Sequence, residues 1–162
     1  FTSILLSHLA LIEEEISMIA TDHCPFTREQ KAWKGRFTDL PYGLPGVETA
    51  LPLIFSEGVS KRGLSVDALV RLFAENPAKI YGLFPQKGAL HIGSDADVVI
   101  FDPDEEWTMS VDNLHMNVDF CPYEGMAVKG KVRTTLSRGE VIYNDGVFTG
   151  TEGRGRFLAR HV

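Results

Sequence analysis

The residues best suited to chemistry in this sequence are Asp22 and His23, which follow the short apolar run ISMIA at 16–20. A carboxylate at the mouth of a strand can bind a metal ion and accept a proton. An aspartate at this place also commonly caps the next turn, and for the dipeptide alone that structural interpretation is the more frequent one. Barrels and doubly wound sheets form their active sites at the carboxyl ends of parallel strands, which favours a functional role.

The two residues after Asp22 are expected to support the site and not to react. Adjacent side chains of a strand point to opposite faces, so His23 and Asp22 cannot both face one metal ion by strand geometry. We therefore expect His23 to pack in the loop. Cys24 is expected to be a buried small hydrophobe, because no basic group near it in sequence would favour the thiolate.

Composition excludes several classes of function. The chain has 162 residues, of which 44% are hydrophobic and 23% charged, and a net charge of −6. Neither nucleic acid nor an anionic membrane is therefore an expected partner. The apolar stretch near residue 5 is too short to span a bilayer. The two cysteines, far apart in sequence, predict no disulfide framework, and a cytoplasmic location is expected.

The pattern of apolar residues predicts a helix over 1–15 and then a buried strand at 16–20. A helix that leads into a buried strand is one step of a parallel sheet. Residues 27–46 show no clear period, and a loop of about twenty residues in a compact domain usually has a functional role.

Two further helices are expected before the chain changes character. The first covers 47–57 and is expected to bend at Pro52. The second begins at Ser65, a favoured N-cap, and continues to about residue 75. Asn76 and Pro77 are expected to end it and to start a short helix of their own.

After Gly82 the helical period disappears, and we expect a β-rich region over 88–149. DADVVIFDP predicts one strand, and VRTTLS with EVIYN predicts a hairpin around Arg138 and Gly139. The tripeptide NDG predicts a further tight turn. The glycine-rich basic tail is typical of an arm.

Five longer segments carry a family resemblance: TDHCPF, GLPGVE, LFAENPAKIYGLFPQKGALHIGSDADVVIFDP, NVDFCPYEGMAVKGKV and GRGRFL. Together they resemble the carboxy-terminal part of the hydantoinase and dihydropyrimidinase group of cyclic amidohydrolases. The resemblance covers nearly the whole chain, from 16 to 160. KGALHIGSDADVVIFDP is typical of the wider amidohydrolase superfamily, whereas DHCPF and CPYEGM indicate the narrower group.

The resemblance implies an α/β fold in which the chain supplies the last strand and helices of a (β/α)8 barrel and most of a small β-sandwich. It assigns residues 1–82 to the metal-dependent hydrolase barrel, residues 83–150 to the sandwich and residues 151–162 to a basic tail.

The resemblance also implies a chemistry. Such proteins hydrolyse the amide bond of a cyclic ureide or imide with two zinc-like ions. Asp22 maps onto the carboxylate that binds one metal ion and acts as general acid and base. LPYGLPG maps onto the substrate-positioning loop, which makes Tyr42 and Gly43 candidate substrate-binding residues, with Tyr42 at a place where Asn is common in the family.

Most of that metal site has no counterpart in this sequence. The family places an HxH pair, a carboxylated lysine and two further histidines before the final Asp. Here only His8 precedes Asp22, and no HxH is present. A catalytic zinc normally takes three protein ligands, so we expect this chain alone to be inactive and not to retain zinc.

Two functions from different classes follow. The first is the carboxy-terminal portion, or a truncated relative, of a cyclic amidohydrolase that acts on a small cyclic ureide or imide and forms a homo-oligomer. The alternative is a non-catalytic relative that acts as a self-association or partner-binding module through apolar helix faces and a sheet edge. An unrelated α+β binding domain would require several long motif matches to be accidental.

Overall fold

A computed structural model of the chain describes residues 10–11, 13 and 15–160. Most of the helix expected over 1–15, including His8, lies outside these residues. The helices are α1 (Arg28–Lys31), α2 (Ala50–Ile54), α3 (Val66–Val70) and α4 (Asn76–Ile80), with π-helical turns at Phe55–Ser60 and Arg71–Glu75 and 3₁₀ turns at Phe37–Asp39 and Val111–Asn113. The strands are β1 (Val98–Thr108), β2 (Ala127–Ser137), β3 (Glu140–Asn144) and β4 (Val147–Phe148). Within the described ranges no helix has the length and apolar character needed to cross a membrane.

The four strands form one antiparallel sheet in the order β1-β2-β3-β4. Arg138 and Gly139, with φ of 52° and 80°, join β2 to β3, and Asp145 and Gly146, with φ of 44° and 89°, join β3 to β4. Two consecutive left-handed residues are the signature of the hairpin turns that match strand twist. The expected β-rich region and both of its tight turns are confirmed.

Strand β1 lies at one edge of the sheet and is irregular. Its register with β2 shifts between Ile100 and Phe101 and again between Asp102 and Glu106, the interval that contains Pro103. Proline has no N–H to give to a ladder, which confines it to edges and bulges.

The helix expected over 47–57 is present and begins slightly later. α2 starts at Ala50 and runs on through the π-helical turn Phe55–Ser60. Pro52 is the third residue of α2, where a backbone N–H would have no partner within the helix, so proline is tolerated there. The helical register changes at Phe55, where the π-helical turn starts.

The second helix begins as expected, because Ser65 Oγ accepts a hydrogen bond from the N–H of Ala68 at 3.0 Å. The helical run to Glu75 and the short helix Asn76–Ile80, with Pro77 in its first turn, are present as expected, but Asn76 keeps a helical backbone and does not cap the new helix. The N–H of Asn76 donates to Arg71 O, five residues back, in the wider π-helical register. The next donor in that register would be Pro77, which has no N–H.

Because Pro77 donates no hydrogen bond to Leu72 O, this carbonyl is available to the segment that leads to Asp22. Leu72 O accepts a hydrogen bond from the N–H of Ile19 at 3.1 Å. Residues 16–20 nevertheless form no strand, which corrects the sequence expectation. A strand requires a ladder of backbone partners. Among the described residues its backbone bonds are scattered: the N–H of Ile16 donates to Ala10 O at 3.3 Å, that of Ile19 to Leu72 O, and a parallel bridge forms only further on, between His23 and Leu44.

The core joins the helices to the sheet. Its buried members are Phe55, Leu64, Ala68 and Leu69, against which Phe101 of β1 packs. The rings of Phe55 and Phe101 lie 4.7 Å apart at 58°. Gly130 of β2 makes this possible, since a Cβ there would come within 2.5 Å of Phe55 and 2.6 Å of Phe101.

Candidate active site

Asp22 lies where the segment 15–22 meets the long loop. Its backbone is left-handed, with φ of 47°. A short polar side chain tolerates this conformation, which most other non-glycine residues adopt only rarely. The residue is exposed, and none of the described hydrogen bonds or ion pairs involves its carboxylate. Asp22 is thus held open to solvent by the backbone on either side of it.

His23 fixes the loop to this segment. Its Nδ1 accepts hydrogen bonds from the N–H groups of Gly46 at 3.0 Å and Val47 at 3.3 Å. An Nδ1 that accepts two N–H groups carries no proton, so the ring does not turn this nitrogen toward a metal ion. The structure agrees with the expected loop-packing role of His23.

The candidate substrate-binding loop lies directly beside the Asp22 segment. The N–H of Cys24 donates to Leu44 O at 3.1 Å. Gly43 has φ of 125°, and a Cβ on it would come within 2.5 Å of Cys24 Cβ and Cys24 O. Glycine is therefore required here both by its conformation and by the close approach of the two chains. The structure thus packs Gly43 against Cys24, which is two residues after Asp22.

Tyr42 points away from Gly43, toward the 3₁₀ turn. Its hydroxyl donates to Phe37 O at 3.0 Å, and the residue is 65% exposed. The loop of 27–46 also contains α1, which sequence periodicity missed. Its signal was local: Thr27 and Gln30 form a capping box, in which each side chain accepts from the other residue's backbone N–H.

Cys24 is exposed, and its expected burial was wrong. The pairing with Leu44 places the residue at the edge of the loop, where Pro25 turns the chain away and no layer covers it. Cys121 is the buried cysteine of the pair.

The described residues do not by themselves fit a two-zinc centre. No group of three or more His, Cys, Asp or Glu side chains converges anywhere within them. His23 is occupied by backbone N–H groups, which leaves Asp22 as the candidate ligand at this place. A single carboxylate gives little affinity, because catalytic zinc is normally held by three protein ligands acting together.

A second polar constellation was missed by sequence reasoning. His115 Nδ1 lies 2.7 Å from Glu48 Oε1, and His115 Nε2 lies 3.0 Å from Gly146 O. The backbone N–H of His115 donates to Glu48 Oε2 at 2.6 Å. Glu48 hydrogen-bonding raises the pKa of His115, the Gly146 carbonyl adds to this, and partial burial opposes it. The partners are 67 residues apart in sequence, so no local pattern could reveal them.

His115 and Glu48 line a cavity of about 600 Å³ between the start of α2 and the sheet. Arg133 of β2 contributes to the lining and pairs with Glu105 at 2.7 Å and Asp145 at 3.3 Å. Lys131, the next cation on the same face, pairs with Glu105 at 2.7 Å. Both cations are thus already neutralised by carboxylates of the chain.

The sequence of the chain is similar to those of known proteins. The amidohydrolase family matches residues 6–142. The D-phenylhydantoinase of Escherichia coli O1:K1 is 48% identical over 147 residues, which cover 90% of this chain and 32% of that protein. The chain therefore spans about a third of the length of this curated relative.

Solved structures show the same fold. A D-hydantoinase (dihydropyrimidinase) from Thermus sp. superposes with a TM-score of 0.92 at 39% identity, over 96% of this chain and 34% of that one. The dihydropyrimidinase from Brevibacillus agri NCHU1002 gives a TM-score of 0.91 at 41% identity, over the same shares. The resemblance found in the motifs is confirmed. The chain belongs to the amidohydrolase family, within its hydantoinase and dihydropyrimidinase group.

Proposed function

We propose that this chain is the carboxy-terminal part of a metal-dependent cyclic amidohydrolase that hydrolyses the amide bond of a cyclic ureide or imide. The observation that carries the proposal is the 48% identity to a D-phenylhydantoinase over 90% of the chain. The contact between the Asp22 segment and the 43–47 loop supports it, because a reacting carboxylate and a substrate-positioning loop need to be adjacent.

Asp22 is the proposed catalytic residue and metal ligand. As general base its carboxylate accepts a proton from the attacking water while the water oxygen bonds to the ring carbonyl carbon. As general acid it returns the proton to the ring nitrogen when the carbon–nitrogen bond breaks. Gly43 and Tyr42 are the proposed substrate-binding residues, Gly43 through the backbone of its tight turn.

Zinc belongs to the proposal for the assembled enzyme and not for this chain alone. The described residues do not fit a two-zinc centre, so we expect the purified chain neither to retain zinc nor to open a cyclic ureide. The corresponding architecture is also proposed: 1–82 in a (β/α)8 barrel, 83–150 in a β-sandwich and 151–162 as a basic tail. The two free cysteines support a reducing, cytoplasmic location.

A chimera tests the function. In it, the chain replaces the matching third of the Escherichia coli D-phenylhydantoinase, and opening of phenylhydantoin is followed in the ultraviolet. We expect turnover that Asp22→Asn abolishes. Asp39→Asn, which removes an exposed carboxylate from the 3₁₀ turn of the same loop, is the matched control and should leave turnover intact.

The outcome that would overturn the proposal is turnover that survives Asp22→Asn at full rate. Zinc measured by elemental analysis after dialysis gives a second criterion. The chimera should retain zinc, whereas the free chain should not. Zinc bound tightly by the free chain, with turnover sensitive to Asp22→Asn, would show that the chain completes its own site.

One observation favours the non-catalytic alternative, a module for self-association. Several large apolar side chains are exposed, including Phe37, Leu90, Ile92, Phe148 and Phe157. Exposed apolar surface in this amount is typical of chains that associate. Light scattering at micromolar concentration tests this, and a sharp monomer mass would contradict both the module and the proposed homo-oligomer.

A further inference from the structure

His115 joins three separate parts of the fold at one point. It follows the 3₁₀ turn Val111–Asn113, its ring and backbone bind the carboxylate of Glu48 just before α2, and its Nε2 faces Gly146 O in the β3–β4 turn. The ring of Tyr143 packs against it edge-on, with centroids 5.5 Å apart.

Glu48 in turn lies in the turn that holds His23. The N–H groups of Gly46 and Val47, the two residues before Glu48, donate to His23 Nδ1. Thr49, the residue after it, is fully buried, and its hydroxyl donates to Gly46 O at 3.1 Å. Movement of Glu48 would therefore move the donors that fix His23, which is bonded directly to Asp22.

The surroundings of His115 offer a hydrogen-bond acceptor to each of its ring nitrogens. One nitrogen faces a carboxylate oxygen and the other a carbonyl oxygen, and neither acceptor has a hydrogen of its own to offer at neutral pH. The arrangement therefore favours the imidazolium.

The other charged groups of the cavity do not reverse this preference. They are Asp112 on the segment of His115, Lys131 and Arg133 on β2, and Asp145 in the β3–β4 turn. The two cations are paired with Glu105 and Asp145, so the unbalanced charge that faces His115 directly is that of Glu48.

We propose that His115 is a positioning residue for the site of Asp22: as an imidazolium it holds Glu48 and the 46–48 turn, and through His23 this turn fixes the backbone of Asp22. Deprotonation of His115 removes one of the two hydrogens, releases Glu48 or Gly146, and loosens the turn. The role assigned to Asp22 rests on the proposed function, but the coupling of His115 to the turn does not.

The coupling is tested on the chain as it is, by nuclear magnetic resonance between about pH 5 and pH 9, the range in which histidines titrate. The ring carbons of each histidine and the amides of Gly46 and Val47 are followed together. We expect both amides to shift with the midpoint that the His115 ring carbons report. In Glu48→Gln and in His115→Gln this inflection should vanish.

His91→Gln is the matched control, because His91 is exposed in the loop before β1 and does not contact the turn. It should leave both amides unchanged. Glu48→Gln keeps the shape and size of the side chain, so it remains informative if His115→Gln does not fold. Amides that show no inflection with His115 in the native chain, or keep it in a folded Glu48→Gln variant, would overturn the coupling.

The positioning role is tested in the chimera described above. With His115→Gln we expect kcat to fall about 10- to 100-fold with little change in KM, the result of misplacing a reacting group. In the same variant the alkaline limb of the profile of kcat against pH should also move. Loss of a purely structural residue would not cause this. An unchanged pH profile would overturn the positioning role. An inactive chimera with native His115 would count against the proposed function instead and leave the resonance result standing.

Discussion

The hydroxyl of Ser56, on the π-helical turn that follows α2, accepts a hydrogen bond from the backbone N–H of Lys129 in β2 at 3.1 Å. Ser56 is fully buried, and this bond ties the helical part of the chain to the sheet. Ser56→Ala leaves the N–H of the half-buried Lys129 without its partner, which we expect to cost about 1 kcal/mol. Ser60→Ala, an exposed serine of the same turn, is the control and should change little. Urea unfolding measures both, and equal midpoints for the two variants would contradict the expectation.

Gly43→Ala should destabilise the chain more than glycine conformation alone explains. The new Cβ would lie 2.5 Å from two atoms of Cys24 in addition to adopting φ of 125°. Gly63 provides a matched comparison, since it has φ of 81° and no atom within 4 Å of a Cβ. We expect Gly63→Ala to lower the free energy of unfolding by about 1 kcal/mol and Gly43→Ala by about 2–4 kcal/mol. Equal losses would show that the Cys24 contact is not tight.

Protonation of His115 should make stability depend on pH. The pKa of His115 is raised in the folded state, first by the hydrogen bond to Glu48. The stabilisation is therefore fully present below the unfolded pKa of about 6.5 and is lost as pH rises through the higher folded pKa. We expect the free energy of unfolding to fall across this window, and Glu48→Gln to flatten the slope. A slope that is the same in both proteins would exclude His115 as its source.

The two cysteines should react at different rates. Cys24 is exposed, whereas Cys121 is 5% exposed and burial raises the pKa of its thiol, although the Tyr123 N–H opposes this. Because the thiolate is the reactive form, we expect iodoacetamide to modify Cys24 at least about tenfold faster. Peptide mass spectrometry over time measures the rates, with Cys24→Ser as the control that removes the fast phase. Comparable rates at the two positions would contradict the buried position of Cys121.

Pro77 should protect the amide of Ile19. Because Pro77 has no N–H, Leu72 O is available to Ile19. In Pro77→Ala the new N–H competes for that carbonyl, and hydrogen exchange at Ile19 should become faster. Pro52→Ala adds an N–H in the first turn of α2, where it has no helical partner, and should leave Ile19 unchanged. Native-state exchange compares the two variants, and undiminished protection of Ile19 in Pro77→Ala would refute this account.

Elements with a strong local signal were predicted well from the sequence. The turns at Arg138-Gly139 and Asp145-Gly146 depend on residues that accept a left-handed backbone, and the cap at Ser65 depends on one hydroxyl. Asn76 was misassigned as a cap because, after a π-helical turn, its N–H still finds a helical carbonyl, that of Arg71. Local propensity does not report that register.

The candidate site was also predicted only in part. Motifs led to the prediction of Asp22 and Gly43 as site residues, and the structure places their segments side by side. The expected burial of Cys24 failed because exposure depends on what covers the loop, which no neighbour in sequence reports. His115 and Glu48 were missed because their contact joins distant segments and requires the folded arrangement of helix and sheet.

The irregularity of β1 affects how copies of the chain can associate. An outer strand of this length offers a row of free backbone groups that could template the addition of another strand and lead to fibrils. Here Pro103 interrupts the row, the register slips beside it, and four carboxylates follow one another closely, at Asp102, Asp104, Glu105 and Glu106. The opposite edge, β4, is two residues long. Copies of this chain are thereby discouraged from pairing along the edges of the described sheet, so that association through this sheet relies on contacts between side-chain faces.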